Sequence, residues 1–166
     1  MSPTLEIGRL MAIASQAGIA ANVRFEGRRG RDQLRYYYSA ADVFVTTPWY
    51  EPFGITPIEA MACGTPVIGA DVGGIKWSVK DGITGFLIPP NDPNALAARL
   101  NELFASPARR RQMGQAAIKR AQALFTWSGV TQSLVAAYQE VLNHQREGAQ
   151  PMGLETADQH HELTGE

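Results

Sequence analysis

Two glutamates, Glu51 and Glu59, stand on either side of a short segment whose residues suit the binding of a phosphorylated ligand. Gly54 lacks the Cβ atom that would hold a ligand away from the backbone, and Pro57 fits the first turn of a predicted helix. The N-terminus of a helix presents unpaired N–H donors and a partial positive charge, and both favour an anion. The segment therefore predicts a phosphate site at the start of this helix.

The amides of Ile55 and Thr56 are the expected donors to a diphosphate, because they lie at the predicted helix start. Glu51 lies on the preceding loop, whereas Glu59 lies in the first helical turn. Each carboxylate can accept hydrogen bonds from hydroxyl groups, one on either side of the diphosphate. We therefore expect the two glutamates to bracket the ligand.

Each glutamate also has an ordinary structural interpretation. Residues 56–59 fit a capping box, in which Glu59 accepts a hydrogen bond from the Thr56 N–H group. A single glutamate on a loop, such as Glu51, is usually solvated. The spacing of these residues leaves both interpretations open.

Short apolar strands alternate with helical segments along the chain, which predicts an α/β fold with a Rossmann-like parallel sheet covered by helices on both faces. Strands are predicted at residues 23–25, 43–45, 66–68 and 86–88. Helices are predicted at residues 4–18, from a cap at Asp32 to Ala41, and at the C-terminus after caps at Asp92, Ser106 and Thr126. In the last helix an apolar stripe predicts packing against another element; its members are Val130, Leu134, Tyr138 and Val141. Ligands of open parallel sheets bind beyond the carboxyl ends of the strands, where residues 51–59 are expected to lie.

The composition predicts one soluble domain. With 166 residues, 45% of them hydrophobic, we expect a single domain over residues 1–147 and a disordered polar tail over residues 148–166. The 15 Lys and Arg against 16 Asp and Glu give a net charge of −1, so no nucleic-acid partner is expected. A single cysteine, Cys63, and the lack of a leader pattern predict a cytoplasmic location. No apolar stretch approaches about 18 residues, so no transmembrane segment is expected.

A longer pattern surrounds the two glutamates. It comprises the lead-in at residues 38–43, the run at residues 51–67, the pair Gly73–Gly74 and the segment at residues 81–86. Over residues 32–93 this pattern resembles the donor-binding domain of the family-four, or group 1, retaining glycosyltransferases, in the branch similar to sucrose-phosphate synthases. The resemblance implies the C-terminal half of a GT-B fold, which is built from two Rossmann-like domains.

The resemblance implies a role for each residue of the central run. Glu51 is expected to be the catalytic carboxylate, because in the family it contacts hydroxyls of the donor sugar and faces the reacting carbon. Glu59 is expected to hold the ribose hydroxyls. The main-chain N–H groups expected to bind the donor are those of Phe53, Gly54 and Ile55 for the sugar and of Ile55 and Thr56 for the diphosphate.

The resemblance also implies a site for the nucleobase. Gly27 and Arg28 follow the predicted strand at residues 23–25, at the place where the family contacts the base through main-chain groups. An ordinary solvated loop around Arg28 and Arg29 is the alternative. Trp77 departs from the pattern, since many relatives have glutamate there, and it marks a subfamily.

One part of the family pattern has no counterpart in the sequence. The donor domain of the family opens with a strand and a basic segment that clamps the diphosphate, and nothing similar precedes Thr4. The resemblance implies that the domain is N-terminally incomplete, with the clamp and the acceptor-binding domain missing. Surface exposed where the absent strands would pair is expected to favour a dimer.

The expected function is that of the donor-binding half of an enzyme. The resemblance implies transfer of a hexose from a nucleoside-diphosphate sugar to an acceptor hydroxyl with retention, without a metal or cofactor. The isolated chain is expected to be inactive. A non-catalytic module that binds nucleotide sugar or a protein partner is the alternative, and a phosphate-binding α/β protein outside this family is a third.

Overall fold

The computed structural model of the chain describes residues 3–148, which form a three-stranded parallel sheet and seven α-helices. The strands are β1 (Phe44–Thr46), β2 (Val67–Ala70) and β3 (Gly85–Ile88). The helices are α1 (Pro3–Gln16), α2 (Arg31–Ala40), α3 (Ile55–Ala62), α4 (Ile75–Ser78), α5 (Pro93–Ala105), α6 (Pro107–Leu124) and α7 (Trp127–Gly148), with a single 3₁₀ turn at Ala20–Asn22.

The chain divides into two compact units at the boundary between Ala121 and Gln122. The first unit contains the sheet, and the second contains α7. The single domain expected over residues 1–147 stays a prediction. Of the predicted tail, Gly148 ends α7, and residues 149–166 lie outside the described residues.

The sheet has the order β1-β2-β3, and neighbouring strands are parallel. Phe44 pairs with Val67 and Val67 pairs with Gly85, so the strands begin level with one another. Their carboxyl ends therefore meet at one edge of the sheet. Three of the four predicted strands are confirmed, each with its bounds shifted by one or two residues.

The sheet is buried on both faces at β2 and nearly so at β3, whereas Val45 of the edge strand β1 is exposed. Burial on both faces explains why β2 and β3 are short, continuous apolar runs. Val67 points into a cluster with residues of α2, α3 and α4, among them Met61 and Ile75. The next residue, Ile68, points to the opposite face, where it packs with Leu103 of α5. The predicted α/β architecture, with helices on both faces of a parallel sheet, is confirmed.

The predicted strand at residues 23–25 is wrong. Val23 and Phe25 lie in an irregular loop that connects the 3₁₀ turn to α2. An extended segment becomes a strand only when its N–H and C=O groups pair with a neighbour, and within residues 3–148 no strand pairs with this one.

The predicted helix caps are confirmed in three cases and wrong in one. The carboxylate of Asp92 accepts from the Ala95 amide at 2.9 Å, and Ser106 and Thr126 accept from amides three residues onward at 3.3 and 3.2 Å. Asp32 does not cap α2, because the helix already begins at Arg31 with Gly30 in the capping position. Asp32 lies in the first turn, where its negative charge interacts favourably with the positive end of the helix dipole.

The apolar stripe predicted on the last helix forms, but its side chains are exposed. Val130, Leu134, Tyr138 and Val141 of α7 are between 46% and 63% exposed. The prediction that this stripe is buried against another element is therefore wrong for the described residues.

Candidate functional site

The loop that carries Glu51 is fixed by a close contact with the pair Gly73–Gly74. This loop follows β1, and the glycine pair lies between β2 and α4, so the contact forms at the carboxyl edge of the sheet. The Gly74 amide donates to the Glu51 carbonyl oxygen at 2.8 Å. A Cβ atom at Gly73 would lie 1.9 Å from that oxygen, and one at Gly74 would lie 2.1 Å from the Phe53 oxygen. Only glycine permits the two loops to approach so closely.

The Glu51 side chain shapes the start of α3. One carboxylate oxygen, Oε1, accepts from the Gly54 amide at 2.9 Å. Gly54 has the left-handed conformation, with φ at +82°, and occupies the N-cap position of α3. The Gly54 N–H group predicted to bind a sugar is therefore occupied by Glu51, and a ligand must share or replace this bond.

The first two residues of α3, Ile55 and Thr56, are exposed at the same edge. At these positions an α-helix offers no acceptor of its own to the amide groups. Pro57, which has no N–H group, takes the third position and is buried. The amides predicted to bind a diphosphate thus lie at the start of a helix, in two exposed residues.

Glu59 is not the end of a capping box. The N-cap residue of α3 is Gly54, and Thr56 is the second residue of the helix, so the register of a capping box is not met. The Oε2 atom of Glu59 instead accepts from the hydroxyl of Tyr38 at 3.1 Å. The carboxylate is half-buried and lies where α2 packs on α3.

Tyr38 is part of this candidate site through its bond to Glu59. From the sequence alone it stands out only as the first residue of the motif at residues 38–43, which precedes β1 and overlaps no part of it. Its side chain is 8% exposed. Burial of the ring, then the hydrogen bond and negative charge of Glu59, and to a smaller extent Cys63, together raise the pKa of Tyr38 to about 12. The signal that could have found this residue is a tyrosine followed by small residues just before a buried strand.

Gly27 and Arg28 lie in the exposed loop before α2. Gly27 has φ at +67°, and a Cβ atom there would meet nothing within 4 Å. The neighbouring Glu26 ties this loop to α2, because its carboxylate accepts from Tyr37 at 3.3 Å and pairs with Arg29. Within the described part of the chain, no hydrogen bond or ion pair joins Gly27 or Arg28 to Glu59, so their role in binding a base stays a prediction.

Large aromatic side chains stand exposed around the Glu51 loop. Trp49, Tyr50 and Phe53 are 77%, 75% and 63% exposed. Trp77 on α4, directly after the glycine pair, is 73% exposed. An open cleft of about 220 Å³ lies beside Trp49, between the residues that follow β1 and those that follow β3. The carboxyl edge therefore combines polar groups with apolar surface, as ligand sites commonly do.

Known proteins share the sequence pattern and the fold of this chain. The sequence model of the family described as "Glycosyl transferases group 1" matches residues 8–120 of the 166. A D-inositol 3-phosphate glycosyltransferase from Thermobifida fusca is 40% identical over 137 residues, which make up 82% of this chain and 31% of that protein.

Two solved structures share the fold. A sucrose-phosphate synthase from Thermosynechococcus elongatus is 38% identical with a TM-score of 0.74, and the match covers 86% of this chain and 37% of that one. Anabaena HepE, solved in complex with UDP-glucose, is 26% identical with a TM-score of 0.74, over 84% of this chain and 38% of that one. The chain thus spans between 31% and 38% of the length of these three proteins.

The described helices give no sign of a membrane span: within residues 3–148, none combines the length and hydropathy that crossing a bilayer requires. The predicted GT-B relationship is confirmed by the fold matches to the sucrose-phosphate synthase and to HepE. The chain belongs to the group 1 glycosyltransferases.

Proposed function

We propose that this chain binds the nucleoside-diphosphate sugar of a retaining hexosyltransferase, as the donor half of its active site. The observation that carries the proposal is the joint placement of Glu51 and Glu59 around the start of α3. Glu51 is fixed by Gly54 and Gly74, and Glu59 is fixed by Tyr38. Two carboxylates with exposed helix amides between them suit a ligand with a diphosphate in its middle and hydroxyls on both sides.

Each part of the donor has a corresponding part of the site. The diphosphate accepts from the amides of Ile55 and Thr56 at the positive end of α3. The hexose lies beside Glu51 and the main-chain groups of Phe53 and Gly54. On the other side of the diphosphate, the ribose lies against Glu59.

The base would then extend toward the loop of Gly27 and Arg28. Glu26 and Tyr37 tie this loop to α2, the helix that also carries Tyr38. One helix thus supports both the loop proposed for the base and the carboxylate proposed for the ribose.

The reaction follows from where charge develops. The bond between the sugar C1 atom and the diphosphate oxygen breaks, and a bond forms between C1 and the acceptor oxygen on the same face. The departing diphosphate accumulates negative charge, which the amides at the start of α3 stabilise, and it takes the proton of the acceptor hydroxyl. Glu51 orients the sugar and faces the positive charge that develops at C1. No metal or cofactor is needed for these steps.

The comparisons favour a uridine nucleotide as the first ligand to test, because HepE was solved with UDP-glucose. Since the matched relatives are about three times as long as the aligned part, we place the acceptor site on a second domain. We also propose that the chain acts in the cytoplasm.

Calorimetric titration with UDP-glucose, GDP-glucose and ADP-glucose tests the proposal. Glu59→Gln keeps an oxygen that can accept from Tyr38 but removes the charge. We expect it to weaken binding about 10-fold or more, because hydrogen bonds to charged groups contribute roughly 1.5 to 3 kcal/mol.

Glu140→Gln is the matched control, since Glu140 is an exposed glutamate on α7. Its affinity for each nucleotide sugar should equal that of the wild type. Unchanged affinity in Glu59→Gln, together with a lower melting temperature, would show that Glu59 has only a structural role.

A further inference from the structure

Tyr38 is held from three directions. Its ring makes an edge-to-face contact with Phe44 of β1, with ring centroids 5.4 Å apart and planes at 85°. Its carbonyl oxygen accepts from the hydroxyl of Thr65, just before β2, at 2.6 Å. Its own hydroxyl donates to Glu59 at 3.1 Å. The position of this hydroxyl is therefore determined by contacts with β1, α3 and Thr65 before β2, and not by α2 alone.

A phenol hydroxyl has one hydrogen to donate, and Tyr38 donates it to Oε2 of Glu59. A carboxylate offers about four acceptor positions on its two oxygens, so Glu59 keeps the capacity to accept further hydrogen bonds. The contact from Tyr38 restricts the rotation of the Glu59 side chain without using up its acceptors. An acceptor that is fixed before the ligand arrives loses less conformational entropy on binding.

We propose that Tyr38 is a positioning residue, which fixes the carboxylate of Glu59 to accept from the ribose hydroxyls of a nucleoside diphosphate. The inference rests on the donor site proposed above, and it adds a residue on a different helix to that site. Its consequence is selectivity: the Tyr38 contact should matter for ligands with ribose hydroxyls and not for ligands without them.

Two properties of the contact support this role over simple satisfaction of a buried hydroxyl. A buried tyrosine needs some partner for its hydroxyl, and a carbonyl oxygen would serve. Here the partner is an ionisable side chain of the proposed site. The ring of Tyr38 is also held by its edge-to-face contact with Phe44, so the hydroxyl that donates to Glu59 has a defined position.

The test compares ligands that differ only in the ribose. The full chain is titrated calorimetrically with UDP, GDP and ADP, and the tightest binder is then compared with its 2′,3′-dideoxy counterpart. We expect Tyr38→Phe to lower the affinity for the ribonucleotide by about 5- to 10-fold and to leave the affinity for the dideoxynucleotide unchanged within about 2-fold. Tyr36→Phe is the matched control, because Tyr36 is an exposed neighbour on α2 that bonds only to Arg35 among the described residues.

The double variant Tyr38→Phe/Glu59→Gln examines whether Tyr38 acts through Glu59. We expect it to bind the ribonucleotide no more weakly than Glu59→Gln alone, since residues that act as one unit are not additive. Fully additive losses would overturn the inference. Equal losses for the ribonucleotide and the dideoxynucleotide in Tyr38→Phe would also overturn it, because they indicate a structural role.

The outcomes separate this inference from the proposed function. If Glu59→Gln loses the preference for ribose hydroxyls but Tyr38→Phe does not, the donor site stands and the positioning role is wrong. If Glu59→Gln keeps that preference, or no nucleotide binds, the proposed function is wrong and this inference with it. Should Tyr38→Phe not fold, Glu59→Asp replaces it: its shorter carboxylate withdraws from Tyr38, and wild-type affinity in that variant would contradict the positioning role.

Discussion

Glu51 acts on its surroundings through both its main chain and its side chain. The carbonyl oxygen accepts from Gly74, and the carboxylate accepts from Gly54, so the residue connects two loops at the edge of the sheet. We propose that the side chain is the part of Glu51 that contacts the sugar. A glutamine retains a carbonyl oxygen that can accept from Gly54, whereas it loses the negative charge. The two tasks can therefore be separated by one substitution.

We expect Glu51→Gln to weaken binding of UDP-glucose about 10-fold and to leave the affinity for UDP within about 2-fold of the wild-type value. The reason is that Glu51 should contact only the sugar. Calorimetry with the two ligands measures this difference directly. Glu51→Ala is a useful comparison, since it also removes the bond to Gly54 and should lower the melting temperature. Equal losses for UDP and UDP-glucose in Glu51→Gln would remove Glu51 from the sugar site.

Tyr38 provides a prediction about pH. Its folded pKa of about 12 lies above the ordinary value near 10 for an unfolded tyrosine. The stability that the protonated hydroxyl contributes is therefore complete below about pH 10 and is lost as the pH rises through about 12. We expect the free energy of unfolding of Tyr38→Phe to fall less steeply over this range than that of the wild type.

Urea unfolding at several pH values between about 9 and 12 measures this slope. Tyr36→Phe should follow the wild type, because that side chain is exposed. Parallel curves for Tyr38→Phe and the wild type would show that Tyr38 does not titrate as described.

The two glutamates could be predicted from the sequence, but the role of Tyr38 could not. Glu51 and Glu59 lie close together in sequence, next to residues that favour a loop and a helix start, so local patterns point to them. Tyr38 lies 21 residues before Glu59, and the contact depends on how α2 packs against α3. Local patterns also left open the capping box, which is excluded only by the helix start at Ile55.

At the scale of elements, the site depends on the close approach of the Glu51 loop to the glycine pair before α4. Gly73 has φ at +43°, and its place against the Glu51 oxygen leaves no room for a side chain. A displaced Gly73 would move Glu51 with it, through the bond from Gly74. The orientation of the catalytic candidate is thus set by an element that follows a different strand.

We expect Gly73→Ala to be strongly destabilising and to weaken UDP-glucose binding. The left-handed conformation alone costs about 1 to 2 kcal/mol for alanine, and the steric overlap adds about 1 to 3 kcal/mol. Gly82→Ala is the matched control, because Gly82 also has positive φ, at +71°, but a Cβ atom there would meet nothing within 4 Å. Urea unfolding and calorimetry on both variants give the comparison. Similar losses in the two would indicate that conformation, and not contact with Glu51, explains the requirement for glycine.

The elements that could be predicted are those whose signals are local. Asp92, Ser106 and Thr126 each cap a helix as expected, because the acceptor and the amide are three residues apart. The strand predicted at residues 23–25 failed, because strand formation requires a partner that the local sequence does not specify. The exposed stripe on α7 shows the same limit, since an apolar pattern does not identify what would cover it.

At the scale of the whole molecule, we propose that the described site is one side of a cleft. The groups assigned to the donor lie at one edge of a sheet, and the relatives are about three times as long as the part of this chain that aligns with them. Transfer requires donor and acceptor to be held together with water excluded, and such positioning contributes on the order of 7 to 11 kcal/mol in favourable cases.

We therefore expect the 166-residue chain alone to show no sugar transfer. To measure sugar transfer, the chain is incubated with radiolabelled UDP-, GDP- and ADP-glucose and simple acceptors, and the products are then separated. Turnover that Glu51→Gln abolishes would show that the chain provides both sides of the cleft.

We propose above all that a nucleotide sugar binds at the carboxyl edge of the sheet, around the start of α3. Titration of the ¹⁵N-labelled chain with UDP-glucose, followed by the chemical shifts of its backbone amides, locates the ligand directly. We expect the largest changes at Gly54, Ile55 and Thr56. Gly82 and Arg109 line a separate cleft of about 490 Å³ at the opposite edge of the sheet. Chemical-shift changes confined to that edge would contradict the proposed donor site, and so would the absence of changes at saturating ligand.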